Sequence, residues 1–387
     1  MKPELMAGVG DFTSLRAAID SGADAVYLGF KEFSMRGKGF QLKDIPKIIK
    51  TCHSEKIKVY VTLNTIIYDR EINKIEKIVK KLEKADGVIF WDLSILNILK
   101  KHKIKPILST QASVSNFESA KFYYNLGVRR IVLARELSLE QIKEIIKKIK
   151  KEKLDLEIEC FVHGAMCVSV SGRCFTSQFL FNKSANRGEC LQPCRRQYII
   201  KDKEEDYELE LDNNHVMSAK DLCCAPFLDK LIKIGIDSFK IEGRNRDARY
   251  VSVVTSVYRK IIDNGFEEKD IDELDKVYNR GFSKGFFFSI PGKDDFANIY
   301  GSLAKERKIY VGKVVNYFKK KGVIEIKTES SGFKVKDKLV VEGNKTGVIS
   351  FIAESLHSGE KVKKGELVGV KGPLVRKKDK VYVIRKT

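Results

Sequence analysis

The sequence lacks the features that would place it in a membrane or outside the cell. No apolar run of about 18 residues, the length a membrane-crossing helix needs, occurs among its 387 residues. Met1 to Asp11 hold no apolar stretch of signal-peptide length. A cytoplasmic protein without membrane contact is therefore expected. In that compartment thiols stay reduced, so a group of cysteines reads as a metal site before it reads as disulfides. Familiar catalytic signatures are also missing. Gly8-Val9-Gly10 is not completed by a third glycine, which argues against a dinucleotide-binding turn. There is no Gly-x-Ser-x-Gly and no His-Glu-x-x-His, and the chain has only five histidines. Neither a serine-hydrolase elbow nor a zinc-protease helix is available. Acidic residues are in deficit too: 52 Asp+Glu stand against 73 Lys+Arg, a formal net charge of +21.

That excess is unevenly spread. Residues 305–387 hold 22 Lys+Arg and 9 Asp+Glu, a net of +13. A general lysine-rich composition would spread evenly, so the clustering points to a polyanionic partner, with a solvated Lys-rich surface as the bland alternative.

What is present is a regular alternation. Short apolar strands are expected at Glu4–Ala7, Ala25–Gly29, Lys58–Asn64, Val88–Asp92, Pro106–Thr110, Arg130–Arg135, Leu156–His163 and Ser238–Gly243. Amphipathic helices separate them: Thr13–Ser21, Asp44–Ser54, Glu71–Glu83, Leu93–Lys101, Asn116–Asn125, Ser138–Lys150 and Ala219–Lys233, with Asp247–Asp263 after the last strand. Eight β-α units in succession predict an α/β protein with a (β/α)8 TIM-barrel-like domain over residues 1–304. The seventh connection is abnormally long, an insertion of about 164–216, on the side of the barrel where such enzymes keep their chemistry. From residue 305 onward, short alternating strands with Gly-containing turns predict a small antiparallel β-barrel.

The insertion carries Cys167, Cys174, Cys190 and Cys194 in the spacing C-x6-C-x15-C-x3-C. Four thiolates on polar, Gly-containing loops can close around one soft metal centre, and spacing alone leaves zinc and an iron–sulfur cluster both open. Cys52 and Cys160 lie in apolar stretches and read as core. Around the expected C-terminal strand ends sit Gln111, Arg135, Glu136, His163, Glu242 and Arg244. Arg135 and Arg244 can grip a dianion through guanidinium–carboxylate pairs, with Gln111 beside them as a further substrate contact. Glu136, His163 or Glu242 can move a proton. Ion pairs closing the barrel are the alternative role. The loop aromatics Phe30, Phe33, Phe175, Phe179 and Phe181 either stack a base or pack the core.

Several blocks of this sequence resemble the collagenase-like peptidase family U32. They are Glu159-Cys160-Phe161-Val162-His163-Gly164-Ala165-Met166-Cys167 with Gly172-Arg173-Cys174 and Ser177, and Asn186-Arg187-Gly188-Glu189-Cys190-Leu191-Gln192-Pro193-Cys194-Arg195. Ser218-Ala219-Lys220-Asp221-Leu222, Lys240-Ile241-Glu242-Gly243-Arg244, Asp24-Ala25-Val26-Tyr27-Leu28-Gly29 and Ser109-Thr110-Gln111 extend the resemblance over the whole barrel. Thr176 departs from the signature, which has an aliphatic residue there. The family name implies proteolysis. Better-understood members instead hydroxylate RNA, converting tRNA wobble uridine to 5-hydroxyuridine or acting on a cytidine of large-subunit rRNA, with prephenate and an iron–sulfur centre. The resemblance thus implies a 4Fe–4S-type cluster on Cys167, Cys174, Cys190 and Cys194, prephenate as co-substrate and RNA, above all tRNA, as partner. A metal-dependent or cysteine peptidase, with His163 and Cys167 as a possible pair, is the second reading; an RNA-binding factor with structural zinc is the third.

Overall fold

The computed structural model describes residues 2–30, 32–35, 39–198, 217–299, 301–357 and 359–387. Eight short apolar strands form where expected: β1 (Glu4–Gly8), β2 (Ala25–Leu28), β3 (Lys58–Leu63), β4 (Gly87–Phe90), β5 (Pro106–Leu108), β6 (Arg130–Val132), β7 (Glu157–Ala165) and, after a strand β8 (Asp221–Cys223), β9 (Ser238–Ile241). The runs are almost wholly buried, as parallel strands covered on both faces must be. Each of β1 to β6 pairs in parallel with the next. β9 then pairs with both β7 and β1, closing an eight-stranded parallel barrel.

Helices wrap the outside: α1 (Phe12–Asp20), α2 (Ile45–Ser54), α3 (Ile72–Lys80), α4 (Leu93–Lys101), α5 (Phe117–Asn125), α6 (Leu139–Lys151), α7 (Thr176–Phe181), α8 (Leu228–Ile234), α9 (Ala248–Asn264) and α10 (Lys269–Asp275). Their starts are chemically marked. Asp11, Asp92, Asn116, Ser138 and Asp247 each accept a backbone N–H of the first turn. α6 lays Leu139, Ile142, Ile145, Ile146 and Ile149 on the barrel, each buried aliphatic side chain contributing roughly 1.5–3 kcal/mol.

One expected element differs. The helix expected over Ala219–Lys233 begins only with a 3-10 turn at Ala225–Phe227 and is α-helical from Leu228, because residues Asp221–Cys223 are drawn into β8, antiparallel to the far end of β7. Strand pairing satisfies more backbone groups there than a helix interrupted by Pro226 would. β10 (Phe282–Ser283) adds to β8 in parallel. Of the expected insertion 164–216, residues 199–216 lie outside the described residues.

Beyond residue 305 the strands are β11 (Glu306–Phe318), β12 (Val323–Thr328), β13 (Phe333–Lys334), β14 (Lys338–Gly343), β15 (Gly347–Ile352), β16 (Lys361–Val362), β17 (Leu367–Lys371) and β18 (Lys380–Lys386). Six form an antiparallel sheet in the order β15-β14-β18-β11-β12-β17, and β13 pairs with β16. Val311, Ile324, Leu339, Val370 and Val383 share a second apolar core, separate from that of the barrel. This sheet docks on α1 and α9. Lys308 reaches Asp247 at 3.1 Å, Arg249 pairs with Glu306, and Thr13 hydrogen-bonds Asn344 at 3.0 Å.

Candidate active site

Strand alternation decides what enters the barrel. Met6, Tyr27, Tyr60, Ile89, Ile107 and Val132 form the inward apolar layer, with Phe161 partly buried beside it. Below this layer lies a charged floor. Arg130 bonds Glu4 at 2.6 Å and Glu159 at 3.4 Å, and also pairs with Glu157. Lys240, level with Met6 and Phe161 and lining the cavity above, donates to Glu159 at 2.6 Å and lies over the Tyr27 ring, 4.0 Å from its centroid. Burial disfavours the charge on Lys240 and lowers its pKa against the pull of Glu159. At Glu4 burial acts the other way, but Arg130 outweighs it and the carboxyl is held low.

Above the layer opens a cavity of about 290 Å3, near the small end of ligand-site volumes. Cys167, Cys174, Cys190 and Cys194 all line it, as do Gln111, Arg135, Glu136, Glu242 and Arg244. Nine of the ten site residues expected from the sequence therefore meet there. The tenth, His163, requires correction: it does not line the cavity. Along β7 the inward row runs Glu157, Glu159, Phe161, and simple alternation would continue it to His163. A bulge between Phe161 and His163 breaks the alternation. His163 turns onto α9 instead, with its ring centroid 5.3 Å from that of Tyr258 and 6.0 Å from that of Tyr250. The Tyr258 hydroxyl donates to Val162 O at 2.8 Å, which leaves its oxygen to accept from His163 Nδ1 at 3.2 Å. Burial, helped by the nearby Arg246 charge, pushes the His163 pKa down to about 3. It is a neutral structural imidazole.

The polar groups of the rim form one network. Arg244 donates to Ser34 Oγ at 2.6 Å and to Met35 O at 2.8 Å; Ser34 Oγ meets Thr62 Oγ1 at 2.6 Å. Asn64 accepts from Met35 N at 3.0 Å and donates to Gln111 at 3.4 Å, and Ser109 donates to the same Gln111 oxygen. Gly29 makes this possible. A Cβ there would stand 2.1 Å from Ser34 Oγ and 2.2 Å from Arg244 Nη2. Arg135 donates to Ala165 O at 2.9 Å and lies over the Phe161 ring at 3.9 Å. Both arginines are thus held in place at the cavity wall before any ligand arrives.

The cysteine loops are tied down by arginines. Arg195 donates to Ala219 O at 3.0 Å and to Met166 O, joining the second cysteine pair to the end of β7. Arg187 makes a two-pronged pair with Glu71, one contact at 2.6 Å and the other at 2.9 Å. Burial raises the Cys194 thiol, and the neighbouring Cys167, Cys190 and Cys174 raise it further against Arg195. At Cys174 burial is outweighed by hydrogen bonds from Ser169 and Thr176, and its pKa is lowered. Thr176, the departure from the family pattern, places both its N–H (3.3 Å) and its hydroxyl (3.1 Å) on the Cys174 sulfur. Among the described residues no three His, Cys, Asp or Glu side chains are gathered tightly enough to hold a single metal ion. The four thiols share one cavity. Cys52, Cys160, Cys223 and Cys224 are buried in the apolar core.

Sequence reasoning missed Lys240 and Glu159, although the signal was there. Ser238, Lys240, Glu242 and Arg244 follow the same period-two row as the two residues that were singled out. Among the described residues no helix is long and apolar enough to cross a membrane.

Comparison with known proteins gives this arrangement a family context. A model of peptidase family U32 matches residues 10–296. An uncharacterized protease of Methanocaldococcus jannaschii is 41% identical over 99% of this chain and 98% of its own length. A collagenase of Porphyromonas gingivalis is 37% identical, covering 98% of this chain and 97% of that protein. The tRNA hydroxylation protein P1 of Bacillus subtilis is 37% identical over 82% of this chain and 78% of that protein.

Proposed function

The chain belongs to peptidase family U32, and within that family we propose that it hydroxylates a nucleobase of RNA, most directly a tRNA uridine converted to 5-hydroxyuridine. The observation that carries the reading is the composition of the cavity: four thiols and two positioned guanidiniums. A cysteine peptidase would need an imidazole beside a thiol. His163, the histidine nearest in sequence to the cysteines, is packed outside the cavity against Tyr250 and Tyr258. The relative named as a tRNA hydroxylation protein supports the same direction.

The donor set fits an iron–sulfur cluster. Four cysteines on loops anchored by Arg187 and Arg195 face one cavity, and a cluster bound at several iron corners spans more widely than one tetrahedral ion, whose thiolate ligands sit about 2.3 Å from the metal. Cys167, Cys174, Cys190 and Cys194 would hold it, and it would supply one-electron redox chemistry at the barrel mouth. The protein's own residues do the rest. Arg135 and Arg244 bind a dicarboxylate co-substrate, for which prephenate is the proposed species. Glu242, buried on the wall, and Glu136, exposed at the rim, are placed to take or give a proton. Gln111, oriented by Ser109 and Asn64, is placed to hydrogen-bond a base edge.

The test compares RNA nucleosides from cells with and without this gene by mass spectrometry. Loss of a pyrimidine carrying one extra oxygen atom is expected in the deletion strain, restored by the wild-type gene. An identical RNA profile, together with collagen cleavage by stringently purified protein, would overturn the reading in favour of a peptidase.

A further inference from the structure

The insertion that carries the cysteines also carries apolar side chains that it does not bury. Phe175 is 72% exposed and Phe179 is 86% exposed. Phe179 N donates to Phe175 O at 2.9 Å, so the two rings stand one helical turn apart, on α7 and at its N-cap. Cys174, Thr176 and Ser177 line the cavity; Phe175 and Phe179, next to them in the chain, face solvent. Val170 and Leu191, also exposed, flank them in the same insertion. Two phenyl rings left in water contribute little to folding, and a grouped apolar surface beside a cavity marks a contact. By contrast, Phe30 and Phe33 are buried and pack the barrel wall.

Charge selects the partner. Residues 164–198 contain Arg173, Lys183, Arg187, Arg195 and Arg196 against a single acid, Glu189, which Lys183 meets at 3.3 Å; Arg187 pairs with Glu71 outside the segment, so the excess rests on Arg173, Arg195 and Arg196. Arg196 lies 5.0 Å from the centroid of the Phe181 ring, and Arg173 lies 5.9 Å from that of Trp91. Exposed aromatic rings on a segment of net positive charge match unpaired nucleic acid, whose bases offer flat π faces and whose backbone is anionic. A duplex offers no such faces, because its bases stack on one another.

We propose that Phe175 and Phe179 form a stacking platform for unpaired RNA bases beside the nucleotide that enters the cavity. This rests on the RNA-hydroxylase reading and specifies its substrate as a looped or single-stranded segment.

The experiment uses the full-length protein with its metal centre. Affinity is measured for a labelled RNA hairpin with an unpaired loop and for a blunt RNA duplex of equal length. Phe179→Ala and Phe175→Ala are each expected to weaken hairpin binding by roughly 5- to 150-fold, with duplex binding and iron content unchanged. Phe179→Tyr, which keeps the ring, should bind as wild type, and Phe179→Leu, which keeps apolar area without a π face, should behave as the alanine variant. Wild-type affinity in Phe179→Leu would overturn the stacking platform. So would alanine variants that bind the hairpin normally but lose self-association in sedimentation, which would assign the patch to protein contact. If wild-type protein binds neither RNA, the RNA reading itself falls, an outcome distinct from failure of the platform alone.

Discussion

The two ends of the barrel interior use arginine differently. At the floor, Arg130 is matched against Glu4, Glu157 and Glu159 in direct ion pairs, and Glu159 also binds Lys240, whose side chain lines the cavity above. At the mouth, Arg244 donates to Ser34 Oγ and Met35 O, Arg135 donates to Ala165 O, and both line the cavity. A guanidinium fixed in a cavity wall is placed to meet an incoming anion. Arg130, closed in by Glu4, Glu157 and Glu159, lies outside that cavity. The same residue type is therefore walled in at one end and open to a ligand at the other, and access to the cavity distinguishes the two.

The sharpest way to break the comparison is at the cysteines. If the mouth is the reaction centre, replacing Cys167, Cys174, Cys190 or Cys194 singly with Ala should abolish RNA hydroxylation and strip iron, because each thiolate ligand closes the same centre. Iron analysis and nucleoside mass analysis on the same preparations check this. Full iron retention in all four variants would remove the cluster from the site. Arg130 variants, whose side chain does not line the cavity, should lose neither iron nor RNA binding while they remain folded.

The next effect belongs to the floor. Glu159→Ala leaves Lys240 and Arg130 buried with a partner missing, and removing one member of a buried ion pair costs about 3–5 kcal/mol. Denaturant unfolding should register this as a lower midpoint with an unchanged slope. A loss below about 0.5 kcal/mol, the scale of ordinary surface substitutions, would mean that the floor is hydrated and its pairs weak.

At the mouth, Arg135→Ala and Arg244→Ala should impair the reaction by roughly 1.5–3 kcal/mol each, the value of a charge-assisted hydrogen bond, with iron retained. The loss should appear as a raised KM for the dianionic co-substrate. Unchanged kinetics in both variants would assign the arginines to barrel closure.

Much of this contrast could be read before any coordinates. The eight strands were legible because Val-, Ile- and Leu-rich runs alternate with capped amphipathic helices, and the cysteine cavity was legible because four thiols sit in one long connection. The polar rim was legible by position, at the strand ends. His163 was not, because a single inserted residue in β7 flips its side, and nothing in Glu159-Cys160-Phe161-Val162-His163 announces a bulge. The charged floor was missed for a different reason. Lys240 lies two residues from Glu242 and Glu159 two residues before Phe161, but a charged residue in a strand ordinarily reads as solvent-facing, and only the closing of the barrel turns these two inward. The short strand Asp221–Cys223 was hidden by the apolar run Leu222 to Leu228, which suits a helix as well as a strand.

The smallest expected effect concerns His163, which belongs to neither end. Its neighbours are Tyr250, Tyr258 and Phe282, with Arg246 as the nearby charge and Cys223 opposite it on β8. Burial disfavours an imidazolium there and none of these neighbours brings a negative charge to balance it, so the folded protein holds this ring neutral, with a pKa pushed down to about 3. In the unfolded chain the ring takes a proton near its ordinary value of about 6.5. The unfolded state therefore binds more protons between about 6.5 and 3. Stability from this group is fully present above about 6.5 and falls as pH drops through that window. At pH 5 the loss relative to pH 8 should be on the order of 2 kcal/mol from this residue alone. His163→Phe removes the titration while keeping an aromatic against Tyr258. Comparing unfolding midpoints of wild type and His163→Phe at pH 8 and pH 5 isolates the difference, since the carboxylates titrate alike in both. A pH dependence identical in the two proteins would mean that His163 is protonated within the fold, and would reopen it as a proton carrier for the site.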